Sequence, residues 1–321
     1  MSSPKPRYAV DRLIGKGGMA EVYKARMTIA EGIERSVALK RVLPQLAKDP
    51  SFLGMFLDEA RLSMLLHHQN IVQVFDAGKG ADGYFLVMEY VEGLDLGHLL
   101  VAGGQRTVFE PRFASFIVAE VCKALEYAHT RRAADDKPLG VIHRDVSPKN
   151  IMISREGEVK LADFGLAKAS SHAMRTQPGI VKGKIGYLAP EQLEGLAPDA
   201  RADVFACGIV LWELSAGRKL FDAPSDVETL MLIKKGIIPP LRDALPDVDP
   251  VFESVVMQAL ARNREHRFPN ARALGEALWG WMFARGQQIT SWDLADLVSG
   301  ARTASTPPPL PPPAKLSFSL D

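Results

Sequence analysis

The run HRDVSPKN, from His143 to Asn150, lies between two apolar stretches and places an aspartate and an asparagine five residues apart. Its charged and amide side chains make it a candidate for contacting an anion. The whole chain has 39 basic and 38 acidic residues, so its formal net charge is only +1. This balance provides no global field for nucleic acid or an anionic membrane, and any anion must be bound by local groups.

The composition indicates a folded protein. With 321 residues and 47% hydrophobic content, the chain can bury one large core or two smaller ones. Cys122 and Cys207 lie in apolar stretches of helical appearance, which favours a packing role in a reducing compartment over a disulfide or a metal site. The start, MSSPKPRYAV, lacks the apolar core of a signal peptide, and no run of about 18 apolar residues occurs. We therefore expect a cytoplasmic protein with no membrane span in this chain.

The two sides of position 92 show different patterns. The N-terminal part contains the strand-like runs VYKARM, SVALKRV, NIVQVFDAG and GYFLVMEYV and one helical segment, SFLGMFLDEARLSMLL. Helical periodicity dominates afterwards. The pattern predicts two lobes, residues 8–91 and 92–284, after a short extension at 1–7. Residues 285–321 become proline-rich, which favours polyproline II and disorder over a packed core.

Three glycines and one ion pair are the candidates for phosphate chemistry in the N-terminal part. Gly15, Gly17 and Gly18 lie between strand-like runs, where backbone amides can approach a phosphate chain, although a plain hairpin turn would use the same residues. In the apolar run SVALKRV, the ammonium of Lys40 is costly to bury unless it is paired. Glu59 lies on the apolar stripe of the next helical segment, and Lys40 is its nearest candidate partner. The alternative is a solvated Glu59 at the edge of the stripe.

Six motifs in a fixed order then point to a family. They are Gly15 to Val22, the VALK run at 37–40, Glu59, His143-Arg144-Asp145 with Asn150, Asp163-Phe164-Gly165 and Ala189-Pro190-Glu191. Together they resemble the protein-kinase signature set. The similarity covers roughly residues 8–284 and is nearest to bacterial eukaryotic-like serine/threonine kinases. It implies an α+β bilobal fold, with an antiparallel sheet and one helix in the N-lobe, a mainly helical C-lobe and ATP in the cleft.

The resemblance implies a role for each catalytic position. Lys40 would contact the α- and β-phosphates and form an ion pair with Glu59, and Asp145 would accept the substrate hydroxyl. Asn150 and Asp163 would bind Mg²⁺, with Mn²⁺ as an alternative. Scaffold roles go to the pair of Glu191 with Arg267, which anchors the activation segment, and to Asp203, which braces the catalytic loop.

The same resemblance implies a nucleotide pocket. Adenine would lie between Val22 and Ala38 above and Met152 below, and the ribose would meet Asp95. The remaining positions form the glycine-rich segment over the phosphates and the hinge region: Ile14, Gly15, Lys16, Gly17, Gly18, Met88, Glu89 and Val91.

The sequence departs from the family pattern at two positions. Ser147 stands where serine/threonine kinases usually carry a lysine near the γ-phosphate, and Lys184 stands where they usually carry a threonine that bonds the catalytic aspartate. One hypothesis is that Lys184 supplies the missing cation and Ser147 the missing hydroxyl. A second gives the cation role to Lys149, at the position of an arginine in tyrosine kinases. In a third, both lysines simply face solvent.

Two further segments bear on regulation. Arg144, next to the catalytic aspartate, resembles the basic residue that pairs with a phosphorylated activation loop in many kinases. Thr176 is the favoured autophosphorylation position, with Ser170 and Ser171 as further acceptors. The charged stretch from Arg131 to Gly140 is expected to be a surface loop, with a docking or dimer contact as the alternative.

The predicted function is that of a protein kinase, which transfers the γ-phosphoryl group of ATP to serine or threonine hydroxyls of protein substrates. Two alternatives stay open: a pseudokinase or scaffold that binds nucleotide without efficient transfer, and a dual-specificity kinase. Nucleic acid is not expected as a partner. A homodimer, and a module that binds the run from Pro307 to Pro313, are further candidate partners.

Overall fold

A computed structural model describes residues 7–30, 32–80, 83–101, 106–133, 135–164, 185–304 and 317–318. In these residues an antiparallel sheet with one long helix precedes a mainly helical part, so the α+β prediction is confirmed. The activation-segment positions Ser170, Ser171, Thr176 and Lys184 lie outside the described residues, as does the run from Pro307 to Pro313.

The N-lobe sheet has the strand order β4-β5-β3-β2-β1-β9, and its described neighbours pair antiparallel. Alternation along β3 explains its central place, because Val37 and Leu39 face one apolar cluster and Ala38 faces another. The strands are β1 (Tyr8–Lys16), β2 (Ala20–Ala30), β3 (Ile33–Val42), β4 (Val74–Gly80), β5 (Gly83–Glu89) and β9 (Ser317–Phe318).

Helices occur in both the N-terminal and the C-terminal part of the described chain. They are α1 (Pro50–Met64), α2 (Leu96–Leu99), α3 (Pro111–Thr130), α4 (Pro190–Leu193), α5 (Ala200–Ala216), α6 (Asp226–Lys235), α7 (Pro250–Ala259), α8 (Ala271–Ala284) and α9 (Ser291–Ala304). Helix α1 starts where the Asp49 side chain accepts hydrogen bonds from two backbone amides and Pro50 takes the first helical position. Its buried stripe packs against the N-lobe sheet.

Helix α5 forms the centre of the C-lobe. Every residue from Ala202 to Ser215 is buried, as expected of a helix that is apolar on all sides. It ends at Gly217, whose φ of 63° is the left-handed conformation that favours glycine. Cys122 and Cys207 are buried in this core as free thiols, which agrees with a packing role.

A second, smaller sheet pairs the start of the C-lobe with the two strands that follow His143 to Asn150. Its strands are β6 (Gly93–Asp95), β7 (Ile151–Ser154) and β8 (Val159–Leu161), in the order β6-β7-β8. The register places Asp95 opposite Met152. Two positions implied for the nucleotide pocket, 57 residues apart in sequence, are therefore neighbours.

The structure differs from the expected tail at helix α9, which lies in the segment expected to be disordered from residue 285. Leu294 and Val298 are almost fully buried in the C-lobe core, with Leu297 and Ala301 packed at its edge. Their i, i+3, i+4, i+7 spacing is an amphipathic helical pattern that the proline content of the later residues obscures. The folded part of the C-lobe therefore extends at least to Ala304.

The stretch from Arg131 to Gly140 forms a small surface hairpin in its described residues. Arg132 and Pro138 form an antiparallel bridge, and the amide of Leu139 donates to the carbonyl of Arg131 at 2.9 Å. Within the described parts of the chain, no helix combines the length and the apolar character needed to cross a membrane.

Candidate active site

A buried carboxylate on α5 holds the backbone of the catalytic loop by hydrogen bonds. Asp203, on α5, accepts the backbone N–H groups of His143 and Arg144 at 2.8 and 2.7 Å, and its Oδ2 lies 2.7 Å from His129 Nε2. Burial opposes ionisation, yet these hydrogen bonds and the nearby imidazoles lower the pKa of Asp203. The bracing role expected of Asp203 is confirmed.

His143 connects the catalytic loop to the segment that carries Asp163. Its ring accepts the Asp145 amide at 3.2 Å, and its Nε2 lies 2.9 Å from the carbonyl oxygen of Ala162. The ring also packs edge-on against Phe164, with centroids 4.5 Å apart. Because His143 is fully buried, these contacts hold the two segments together.

Asp145 and Asn150 form the centre of the site. The Asn150 Nδ2 donates to the Asp145 carbonyl at 2.7 Å and to its carboxylate at 3.0 Å. The 3₁₀ turn Pro148–Asn150 brings them together, and the Ala162 amide donates to the Asn150 carbonyl at 2.8 Å. Asn150 thereby orients the carboxylate of Asp145, and its own backbone is held by the hydrogen bond from Ala162.

Lys40 pairs with Asp163, a contact that the sequence interpretation did not include. The Lys40 Nζ lies 2.7 Å from Asp163 Oδ1, and the ion pair of Lys40 with Glu59 stays a prediction. Asp163 has a φ of 63°, which is uncommon for a residue with a side chain and is typical of strained functional positions.

Glu59 is nevertheless buried on α1, so the alternative of a solvated side chain is wrong. It is 3% exposed and lines a small cavity of about 30 Å³ with Ile142, Arg144 and Phe164. On the same helix face, Ser63 donates its hydroxyl to the Phe164 carbonyl at 2.9 Å. Helix α1 is therefore attached to the segment that follows Asp163, and sequence reasoning missed this contact.

Several positions implied for the nucleotide pocket belong to one apolar cluster of the N-lobe. Ala38 and Met88 are opposite each other in the β3–β5 ladder and belong to one cluster with Val22. Val91 packs against the same cluster, whereas Met152 lies in the second sheet beside Asp95. The amide of Glu89 donates to the Gln73 carbonyl at 2.8 Å, which holds the hinge segment to the chain before β4.

The glycine-rich turn joins β1 to β2. A Cβ atom placed on Gly15 or Gly17 would meet no neighbour closer than 3.7 Å, so internal packing does not require glycine at either position. The absence of side chains leaves the backbone open to close approach by a ligand, as a phosphate chain requires. Lys16 forms an ion pair with Glu21 at 3.3 Å, while Ile14 is partly exposed.

Asp95 has a partner that the sequence interpretation did not include. One of its carboxylate oxygens accepts the backbone amide of His98 at 3.0 Å and caps α2, and the other contacts the His98 ring. The hydrogen bond to Asp95 raises the pKa of His98, while burial and the charge of Lys149 act in the opposite direction. The D-x-x-H spacing at a helix start was a signal for this contact.

Two of the three residues in the hypotheses about the missing lysine, Ser147 and Lys149, are described. Ser147 is buried, and Lys149 is exposed with its aliphatic stem against α2, where a Cβ on Gly97 would lie 3.4 Å from Lys149 Cγ. Lys184 lies outside the described residues, so the exchange between Ser147 and Lys184 stays a prediction.

The activation-segment anchor is formed as expected. Arg267 donates to both oxygens of Glu191, at 2.7 and 2.8 Å, and both side chains are almost fully buried. The Tyr187 hydroxyl additionally donates to Glu213 at 2.7 Å, a buried contact that sequence reasoning missed. Burial raises the pKa of Glu213 despite this hydrogen bond.

Comparisons with known proteins agree with this geometry. The family model for the protein kinase domain matches residues 8–279. The chain is 38% identical over 276 residues to the tyrosine-protein kinase MasK of Myxococcus xanthus, which covers 86% of this chain and 43% of that protein. It is 36% identical over 265 residues to the serine/threonine-protein kinase PrkC of Bacillus subtilis, which covers 83% of this chain and 39% of that protein.

A solved structure shows the same fold. The kinase domain of PknI from Mycobacterium tuberculosis superposes with a TM-score of 0.65 at 28% identity, covering 87% of this chain and 99% of that domain. The chain spans about two fifths of the length of the curated relatives named above. These matches, together with the arrangement of Lys40, Asp145, Asn150 and Asp163, show that the chain belongs to the protein kinase domain family.

Proposed function

We propose that the chain transfers the γ-phosphoryl group of Mg·ATP to serine or threonine hydroxyls of proteins. Members of the protein kinase family use ATP and a divalent metal ion. The observation that carries the proposal is the arrangement of four side chains in one cleft, in which Asn150 contacts Asp145 and Lys40 contacts Asp163. A domain that had lost catalysis would have no need to keep both of these contacts.

Each of these groups has a role that its surroundings support. Asp145 accepts the hydroxyl proton of the substrate, with its carboxylate oriented by the amide of Asn150. Lys40 neutralises charge on the phosphates and is held near them by its ion pair with Asp163. The catalytic loop does not have to rearrange, because Asp203 and His143 fix its backbone.

The residues fit a magnesium ion. Asn150 uses its amide nitrogen on Asp145, which leaves its carbonyl oxygen as a ligand, and Asp163 supplies a carboxylate. Mg²⁺ prefers oxygen ligands and is usually bound by one or two carboxylates together with substrate phosphates. When bound, the ion would neutralise charge that develops on the phosphate oxygens.

The cation that replaces the usual lysine is assigned to Lys184 in this proposal. The aliphatic stem of Lys149 lies against α2, and the charge of Lys149 lowers the pKa of His98. Lys149 therefore lies on the Asp95 side of the cleft. Lys184→Ala should therefore abolish most turnover, whereas Lys149→Ala serves as the matched control. The double variant Ser147→Lys with Lys184→Thr should restore activity, and full activity of Lys184→Ala would refute the exchange.

Autophosphorylation at Thr176, with Ser170 and Ser171 as further sites, is the proposed form of regulation. The Nε of Arg144 is buried and meets no acceptor among the described residues. A partly buried guanidinium of this kind is suited to a phosphate group brought in by the activation segment. Thr176→Ala should have lower activity than the wild-type enzyme phosphorylated at Thr176. Equal rates from phosphorylated and fully dephosphorylated wild-type enzyme would contradict this role.

A dual-specificity kinase is the second candidate. It is favoured by one observation, the similarity to a relative whose name describes a tyrosine-protein kinase. The two candidates differ in the residues that they phosphorylate.

One experiment tests both candidates. The purified chain and its Asp145→Asn variant are incubated with Mg·ATP, and every phosphorylated residue is mapped by mass spectrometry. Phosphate on Thr176 and other Ser/Thr sites, reduced by roughly 10²–10⁴-fold in the variant, is the expected result. Phosphotyrosine would establish dual specificity. ATP binding without any phosphate transfer would support a pseudokinase or a nucleotide-binding scaffold.

A further inference from the structure

Helix α9 lies beyond the residues that the family model matches. That match covers residues 8–279 and ends within α8, whereas α9 spans Ser291–Ala304. The helix is nevertheless part of the C-lobe core, because Leu294 and Val298 are almost completely buried there. The groups against which α9 packs indicate what this additional helix contributes.

The first turn of α9 lies directly against the turn that joins β7 to β8. Gly157, in that turn, has a φ of 80°, and a Cβ atom added to it would collide with the carbonyl group of Ser291 and lie 3.0 Å from the Ala295 amide nitrogen. Only a residue without a side chain allows two backbones to approach this closely. Leu294 also belongs to the same apolar cluster as Ile153 on β7. The turn and α9 therefore cannot shift independently of each other.

The same turn and the strand after it are bonded to the hinge segment. The Arg155 amide donates to the carbonyl of Glu92 at 2.8 Å, and the Arg155 guanidinium pairs with the Glu92 carboxylate at 2.9 Å. On β8, the Lys160 ammonium lies 3.0 Å from the Glu89 carboxylate, and both side chains are mostly buried. Because Glu89 and Val91 are positions implied for the nucleotide pocket, a displaced turn would also displace the hinge.

The residues implied for the lower side of the nucleotide pocket lie on the same small sheet. Met152 on β7 is opposite Asp95 on β6 and Lys160 on β8. The three strands have only three, four and three residues. Sheets this small have little stability of their own and depend on packing against their neighbours. The positions of Met152 and Asp95 therefore depend on what packs against the β7–β8 turn.

We propose that α9 is a positioning element of the nucleotide pocket. By packing against the β7–β8 turn, it holds Met152, Asp95 and the hinge at Glu89 in the geometry that binds the adenosine part of ATP. Its residues act through the small sheet and do not contact the nucleotide. The inference rests on the proposed function, since it requires that this cleft binds ATP. It assigns control of ATP affinity to a helix outside the matched domain.

The test is equilibrium binding of Mg·ADP, measured by isothermal titration calorimetry on the full chain and its variants. Leu294→Ala removes the side chain that packs α9 into the core, and it should bind Mg·ADP about tenfold more weakly, a coupling of ordinary size between linked sites. Leu260→Ala is the matched control, because it removes an equally buried leucine that packs against Gly208 on α5. This control should retain the wild-type affinity.

A second pair of variants keeps the test decisive if Leu294→Ala does not fold. Asp293 is exposed, and its carboxylate accepts the amide and the hydroxyl of Thr290, both at 2.7 Å, at the start of α9. Asp293→Ala should loosen the first turn of α9 and weaken Mg·ADP binding several-fold. Ser225→Ala removes the equivalent cap from α6 and should leave the affinity unchanged.

Steady-state kinetics separate positioning from a general structural role. Leu294→Ala should raise KM for ATP and leave kcat at saturating ATP unchanged, and Leu294→Met, which conserves volume, should restore KM. Wild-type affinity for Mg·ADP in Asp293→Ala or in folded Leu294→Ala would overturn the inference and leave phosphoryl transfer standing. Equal losses in Leu294→Ala and Leu260→Ala would also overturn it. A wild-type chain that does not bind Mg·ADP would overturn the proposed function together with the inference.

Discussion

The ammonium of Lys40 contacts the carboxylate of Asp163 at 2.7 Å, while Glu59 is buried on α1 beside the catalytic loop. The one cation of Lys40 is thus held by the carboxylate that follows β8. Helix α1 is attached through Ser63 to Phe164, so its position and that of Asp163 are coupled. The pairing of Lys40 can therefore report the state of the cleft.

Replacements of Lys40 and of Glu59 should differ in their effects on catalysis. Lys40→Met is expected to lower kcat/KM for ATP by roughly 10²–10³-fold, because a preorganised cation at the phosphates is lost. Glu59→Gln should have a smaller effect, since Asp163 already holds the ammonium. Steady-state kinetics measure both, with Glu276→Gln on an exposed helix surface as the control. Equal losses in Lys40→Met and Glu59→Gln would show that catalysis needs the Glu59 carboxylate as much as the Lys40 ammonium.

Asp203 should make stability depend on pH in the acid range. Its pKa is lowered in the folded state, so its contribution is present above the unfolded value of about 3.9 and is lost as pH falls through the folded pKa. Asp203→Asn is expected to reduce the free energy of unfolding by about 2–4 kcal/mol at neutral pH, because buried amides and His129 lose a charged acceptor.

The measurement is urea unfolding of wild type and Asp203→Asn between pH 3 and pH 7. The difference between the two proteins should shrink as the pH falls. Asp58→Asn, which removes one partner of an exposed pair with Arg61, should leave the unfolding midpoint unchanged. A difference that stays constant with pH would mean that the Asp203 carboxylate is not the titrating group.

The pair of Glu191 and Arg267 should be necessary for folding stability. Glu191→Ala leaves the guanidinium buried without its counter-charge, and we expect a loss of about 3–5 kcal/mol in the free energy of unfolding. Arg272→Ala breaks a pair whose side chains are mostly exposed and should have little effect. Chemical denaturation followed by tryptophan fluorescence compares the two, and similar losses would argue against the burial-based explanation.

His98 should make ATP affinity depend on pH. The contact with Asp95 raises the pKa of His98 in the folded state, so the charged pair is complete at low pH and is lost as pH rises through that pKa. If Asp95 binds the ribose, the imidazolium competes for its carboxylate, and KM for ATP should rise as the pH falls. His98→Ala keeps the backbone cap on α2 and should flatten the profile. An unchanged profile in this variant would exclude His98 as the titrating group.

Local patterns were sufficient for much of the architecture. The alternation in SVALKRV and the periodicity around Glu59 predicted β3 and α1, and the order of the motifs predicted the two lobes. The helix at Ser291–Ala304 was missed, because the proline-rich residues after it dominate the composition of the same segment. Its apolar spacing becomes meaningful only once a core is available to cover it.

By itself, the sequence determined the fold class, the catalytic loop and the identity of the charged groups in the cleft, because these depend on residue type and short spacing. Tertiary structure alone decided that Lys40 pairs with Asp163, 123 positions away, and that the C-terminal residues lie beside Tyr8. The physical reason is that an ion pair or a strand pairing depends on distances between groups far apart in the chain. Those distances are set by how helices and sheets pack, and no local pattern contains them.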